Sequence, residues 1–167
     1  MFRYTFLGLA GAAAAAALIS GVHAKALMEA NISSEDAMVA YEAAVAECRK
    51  GNSNDITVVI VDRAGKEALL ARSDGASLHN LDLARRKAYT ARTFRSSTTA
   101  WRDRSTGTQG AAGQRYLNDV IALGGGMPIM IGQDAIGGIG VSGSNGGQPG
   151  DEACAKAGAD AVAAANR

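Results

Sequence analysis

The sequence predicts an α/β fold, an antiparallel sheet flanked by helices. Three observations carry that expectation. Two pairs of apolar or β-branched runs are each joined by a short turn, over residues 55–74 and 127–143. Segments with helical spacing and polar caps lie before, between and after those pairs. Neighbouring strands joined as hairpins run antiparallel, and the helices then cover the sheet.

The elements follow in chain order. Met1-Phe2-Arg3 gives a positive start, residues 7–19 are almost wholly Leu, Ala and Gly, and Val22-His23-Ala24 is a small-x-Ala pattern. This predicts a signal peptide over residues 1–24, cleaved after Ala24, and a periplasmic or secreted protein. An uncleaved anchor is the alternative, disfavoured because the apolar run is short and made of small residues. No stable membrane insertion is expected after cleavage. Residues 25–167 form one domain, long enough for one core. Ser33 and Ser34 precede Glu35 and Asp36, then Met38, Tyr41, Val45 and Cys48 recur until Gly51, which predicts a helix over 34–50. "DITVVIVD" (55–62) reads as a central strand, "DRAGK" as a tight turn and "EALLARSD" (67–74) as the returning strand. Asn80 can cap a helix reaching Phe94, with a narrow seam of Leu81, Ala84, Ala88 and Ala91. Ser96 or Ser97 caps a short helix holding Trp101, residues 107–113 form a break, and 116–123 form a short helix or strand. "MPIMIG" and "AIGGIGVSG" flank "QDA" as a second hairpin. Glycines inside a strand mark a bulge or the close approach of a backbone or ligand. "SGSNGGQPG" reads as a loop, and Asp151-Glu152 opens a last helix to about Ala164.

Charge and cysteine usage narrow the chemistry. The chain carries 17 Lys and Arg against 16 Asp and Glu. Loss of Arg3 with the signal segment makes the remainder neutral, so nothing global favours nucleic acid. His79 is the only histidine after residue 24, which excludes a zinc site built from several histidines. Cys48 and Cys154 are the only cysteines. In an exported protein they either bridge or stay as buried thiols, and sequence alone leaves both open.

The stretches "VVIVDRAGKEALLARSDGA", "LDLARRKAYTARTF" and "GGGMPIMIGQDAIGGIGVSGSNGGQPGDEACAKAG" together resemble the GlcG/HbpS family, also called DUF336 or the haem-degrading domain family. The likeness covers about residues 33–165, and its motif positions include Asp62, Gly65, Lys87, Ala88, Thr90, Gly140, Ser142, Gly143 and Asp151. The resemblance implies a sandwich around about five antiparallel strands and a homo-oligomer. It also implies haem binding in some members, and haem breakdown or cobalamin-pathway association in others. It assigns no axial ligand.

Candidate site residues come from the chemistry of single side chains. A neutral imidazole can ligate haem iron, so His79 is the candidate metal ligand, against a plain role at a helix start. Met127, Met130, Tyr89 or a free cysteine are alternatives, each more often core. Arg85, Arg86, Lys87, Arg92, Arg95, Arg102 and Arg104 face a single acid, Asp103, over residues 85–104. Such a stretch suits haem propionates or another small carboxylate, though a solvated helix face is the default reading. Lys87 and Arg86 are the candidate anion contacts. Ser142, Gly143 and the loop to Gly147 can present backbone N–H groups to an anion, or can simply reverse the chain. Lys87 and this loop are expected to share a hollow.

No catalytic residue is assigned. Ser142 lacks a GxSxG elbow, and no phosphate-binding loop is present. The expectation is an exported haem (tetrapyrrole) binding protein for storage, sensing or transfer. The alternatives are a haem-degrading enzyme or a small-carboxylate-binding accessory protein of a periplasmic oxidation pathway. Three Phe, one Trp and four Tyr offer little ring-stacking surface, which favours an exposed or subunit-shared site.

Overall fold

The computed structural model describes residues 26–107 and 110–167; the expected signal peptide lies outside them. Helix α1 spans Ser34–Lys50. The Ser33 hydroxyl accepts from the Asp36 N–H, Glu35 and Asp36 sit in the first turn, and Gly51 ends the helix. Strands β1 (Thr57–Asp62) and β2 (Glu67–Arg72) form the first hairpin. Its turn needs Gly65 at φ 78°, where a Cβ would strike the Tyr89 ring. The Asp62 carboxylate accepts from the Ala64 and Lys66 N–H groups and closes that turn.

Helix α2 (Asn80–Phe94) and short helix α3 (Thr98–Arg104) follow, capped at Ser97. Strands β3 (Gly126–Ile131) and β4 (Asp134–Ser142) make the second hairpin, and α4 spans Gly147–Ala165. The sheet order is β2-β1-β4-β3, antiparallel throughout. About five strands were expected and the described residues form four, because residues 112–116 form a 3-10 turn and the chain then runs irregularly to β3. The last helix starts at Gly147, four residues before its expected start, so the expected loop is only half as long. Pro149 is tolerated there because a helix's first turn has no intrahelical acceptor for its N–H groups.

Side chains alternate across the strands and define two layers. Val58, Ile60, Ile139 and Val141 face α1 and α4 in the larger core, with Ala37, Ala40, Ala44 and Ala155. Val59 and Val61 face Ala84 and Ala88 of α2. Each helix layer comes close through small residues rather than large ones. Cys48 and Cys154 are joined as a disulfide that staples α1 to α4 across 106 residues of chain. Closing a loop of that size removes denatured-state entropy worth about 4–5 kcal/mol. Both cysteines are therefore spent in structure, and the alternative of a cysteine haem ligand falls away.

Candidate site on helix α2

Helix α2 has an inward face cleared by glycine. A Cβ on Gly140 would be driven into the Ala84 carbonyl and lie 2.6 Å from the Ala88 nitrogen. A Cβ on Gly138 would lie 2.5 Å from the Ala88 carbonyl oxygen. The strand glycines thus admit a helix backbone, and the packing reading of the glycine-rich hairpin holds there.

Lys87 leaves this same face and is only 2% exposed. Its Nζ donates to Asp151 Oδ2 at 2.7 Å and to the Val141 carbonyl at 2.9 Å. Gly125, at φ 118°, leaves the space: a Cβ there would lie 2.6 Å from the Asp151 Cβ and 2.9 Å from Lys87 Nζ. Burial pushes the Lys87 ammonium below its ordinary pKa, opposed by the Asp151 charge beside it. The pair ties α2 to α4, helices on opposite faces of the sheet.

Lys87 and the segment after β4 do converge, as the sequence led us to expect, but the hollow between them is filled by the protein's own carboxylate. Asp151 Oδ1 also accepts from the Ser144 N–H at 2.9 Å. The Asn145 N–H donates to Ser53 Oγ, and the Gly147 N–H to the Ser144 carbonyl. Three donors of the expected anion nest, the N–H groups of Ser144, Asn145 and Gly147, are thus satisfied internally. Ser142 is buried and donates to Asn80 Oδ1 at 3.2 Å. Gly143, at φ 106°, would bring a Cβ within 2.6 Å of Asn80 Nδ2. Asn80 is therefore the first residue of α2 and a core group, while His79 occupies the cap position without a capping side-chain bond.

The outward face differs. A hollow of about 550 Å³ is lined by Asp82, Arg85, Arg86, Arg115, Tyr116 and Asp119, among others. Arg85 donates to Asp119 at 2.6 Å and Asp82 at 3.1 Å, and the hydrogen bond to Asp119 raises its pKa. Arg86 donates to the Val120 carbonyl at 2.6 Å. Arg115 donates to Ser105 Oγ, Thr106 Oγ1 and the Arg102 carbonyl. Tyr116 is 90% exposed and Leu117 53%. Arg86 is the one predicted anion contact found here. His79 is exposed and lies one helical turn before Asp82. Met127 packs against the core, Met130 is half-buried, and Tyr89 covers Gly65. Arg115 and Tyr116 were missed by sequence reasoning; an Arg-Tyr pair just past a glycine-rich break was the available signal.

Residues 32–160 match the sequence model of a family described as "Haem degrading protein HbpS-like". The chain belongs to the HbpS-like family. It is 33% identical over 86 residues to an uncharacterized 15.0 kDa protein of Citrobacter freundii encoded between dhaT and dhaS, matching 50% of this chain and 61% of that one. The chain therefore spans about three-fifths of the length of that curated relative. Among solved structures, protein ORFY of Klebsiella pneumoniae, assigned to DUF336, superposes with TM-score 0.77 at 25% identity, covering 84% of this chain and 97% of that one. A double mutant of HbpS from Streptomyces reticuli gives 0.75 at 30%, covering 87% and 97%. A PduOC–haem complex gives 0.71 at 28%, covering 78% and 94%. In this HbpS-like chain the motif residues Gly65, Lys87, Thr90, Gly140 and Asp151 all have structural partners. Thr90, for example, accepts from the Ile121 N–H at 2.9 Å.

Proposed function

We propose that this HbpS-like protein is an exported haem- or tetrapyrrole-binding protein acting in storage, sensing or transfer. The observation that carries the proposal is the outward hollow of α2, with Arg85, Arg86 and Arg115 on its walls and Tyr116 and Leu117 at its rim. Family membership and the haem-bound PduOC relative support it. Guanidinium groups suit propionates, and Leu78, Leu81 and Leu117, all exposed, suit the porphyrin face. His79 offers an imidazole and Tyr116 a phenol toward iron. Among the described residues no group of three or more His, Cys, Asp or Glu is placed to hold a bare metal ion, so iron would be held through its porphyrin. Bound haem would supply the redox chemistry; these side chains supply binding and orientation. The exposed apolar rim also suits a site completed by a second copy of the chain. A disulfide linking α1 to α4 supports export to an oxidising compartment.

Titration of the purified protein with hemin tests this. A Soret shift that weakens in His79→Ala or Arg86→Gln is expected; an unchanged hemin spectrum sinks the proposal. Degradation is distinguished by aerobic addition of a reductant, which would bleach the Soret band and release iron. A second reading, a small-carboxylate binder, is favoured by the polar arginine wall alone. Calorimetry with small carboxylates, beside a blank hemin titration, would select it.

A further inference from the structure

A second hollow of about 550 Å³ lies away from the one described, where the N-terminal strap crosses the β1–β2 turn. Leu27, Glu29, Asn31, Arg63, Ala64 and Arg92 line it. Arg63 is held there by the strap. Its Nη2 donates to Glu29 at 2.8 Å, its Nη1 to the Ala30 carbonyl at 3.3 Å, and its own N–H donates to Asn31 Oδ1 at 2.8 Å. Arg92 enters from α2 on the stretch that packs against Gly138. Its Nε is buried and has no hydrogen-bond partner among the described residues. A buried donor without an acceptor is costly and calls for one.

The charge count around that donor is unbalanced. Arg63 and Arg95 both act on Arg92 as like charges, and desolvation is the largest cause that lowers its pKa. Two carboxylates oppose them, Glu29 and Asp62. Each is already engaged, Glu29 by Arg63 and Asp62 by the N–H groups of Ala64 and Lys66. Two guanidinium groups thus line the open hollow, Arg95 adds a like charge from outside it, and both opposing acids are occupied.

We propose that Arg63 and Arg92 form an oxyanion site, separate from the outward hollow of α2, that takes a small carboxylate or phosphate group, with Glu29 as the internal carboxylate that competes for it. A planar or tetrahedral oxyanion in the hollow supplies the acceptor that the buried Nε lacks once the Arg92 guanidinium turns toward it, and it neutralises the excess charge. Leu27 and Ala64 leave room for a short apolar body on the ligand.

The test is calorimetry of the full chain with sodium phosphate and, separately, sodium acetate, in a buffer free of other oxyanions. Saturable binding of one of them is expected. Arg92→Gln is expected to weaken it about tenfold or more, the worth of one charge-assisted bond. Glu29→Gln, on the exposed strap, is expected to strengthen it several-fold, as the competitor is removed. Arg86→Gln is expected to leave it unchanged, which separates this site from the proposed haem site. Thermal unfolding of Arg92→Gln checks folding, and little loss of Tm is expected because the Nε removed has no partner among the described residues. Absence of saturable binding to either anion, full binding in Arg92→Gln, loss of binding in Arg86→Gln, or no gain in Glu29→Gln would each overturn the proposal.

Discussion

Helix α2 carries two faces built on opposite terms. Inward, Ala84, Lys87, Ala88 and Ala91 are buried, and strand glycines are cut back to receive them. Outward, Arg85 and Arg86 are about one-third exposed and meet Asp82, Asp119 and a loop carbonyl. Lys87 and Arg86 are adjacent in sequence and both basic, yet one is locked in the interior and the other stands at an open hollow. The inward face resists single changes of volume or charge; the outward face trades partners with solvent at little cost. The difference teaches that the residues marking this family on α2, Lys87 and Ala88 above all, belong to the inward face. They report the fold, whereas the residues suited to a ligand carry no such pattern.

The strongest way to break that contrast is Lys87→Met. It removes one member of a buried ion pair and leaves Asp151 without its cation. Breaking such a pair costs about 3–5 kcal/mol. Urea unfolding would read this as a lower midpoint at an unchanged slope. Lys87→Met combined with Asp151→Leu is expected to recover most of the loss, since no uncompensated charge is left behind. A single variant as stable as the parent would place Lys87 among the ligand groups after all.

The legibility of the sequence follows the same division. Helix α1 was readable to the residue because Ser33, the acids of its first turn and Gly51 are local signals. Both hairpins were readable because β-branched runs and turn residues are also local. The start of α4 was not: Gly147, Gln148 and Pro149 look like a loop, and the helix there is set by tertiary packing. Lys87 was singled out as an anion contact, but its partner is an internal carboxylate 64 residues away, and no spacing rule reveals that this carboxylate fills the place assigned to a ligand. The hollow of Arg85, Arg86 and Arg115 joins two distant segments, so half its wall was invisible in sequence. The disulfide was left open for the same reason, since the distance between two cysteines is a property of the fold.

A smaller effect is expected from Gly140→Ala. The added methyl meets backbone atoms of Ala84 and Ala88, which cannot rotate away, so α2 must shift from the sheet. Overpacking of this kind costs about 1–3 kcal/mol. The substitution also raises strand propensity, which opposes the loss by a few tenths of a kcal/mol. Thermal unfolding should therefore show a clear fall in Tm. An unchanged Tm would mean that the α2 seam is looser than its glycines imply, and the contrast between the two faces would weaken.

Arg86→Gln sharpens the comparison from the other side, with the smallest expected effect on stability. The substitution removes a guanidinium about one-third exposed, whose firmest contact is the Val120 carbonyl at 2.6 Å, plus a 3.6 Å approach to Asp82. One such hydrogen bond is worth about 1 kcal/mol net, and the exposed ion pair adds less. Glutamine keeps a donor and much of the stem, so the change in unfolding free energy should stay below about 1 kcal/mol. Hemin affinity is expected to fall about tenfold, because a charge-assisted bond to a propionate is lost and glutamine cannot replace the charge. The pair of neighbours then separates cleanly: Lys87→Met moves stability first and ligand only through folding, whereas Arg86→Gln moves ligand at nearly constant stability. A fall in both quantities together in Arg86→Gln would show that the 112–120 segment depends on Arg86 for its position. The outward face would then be as structural as the inward one.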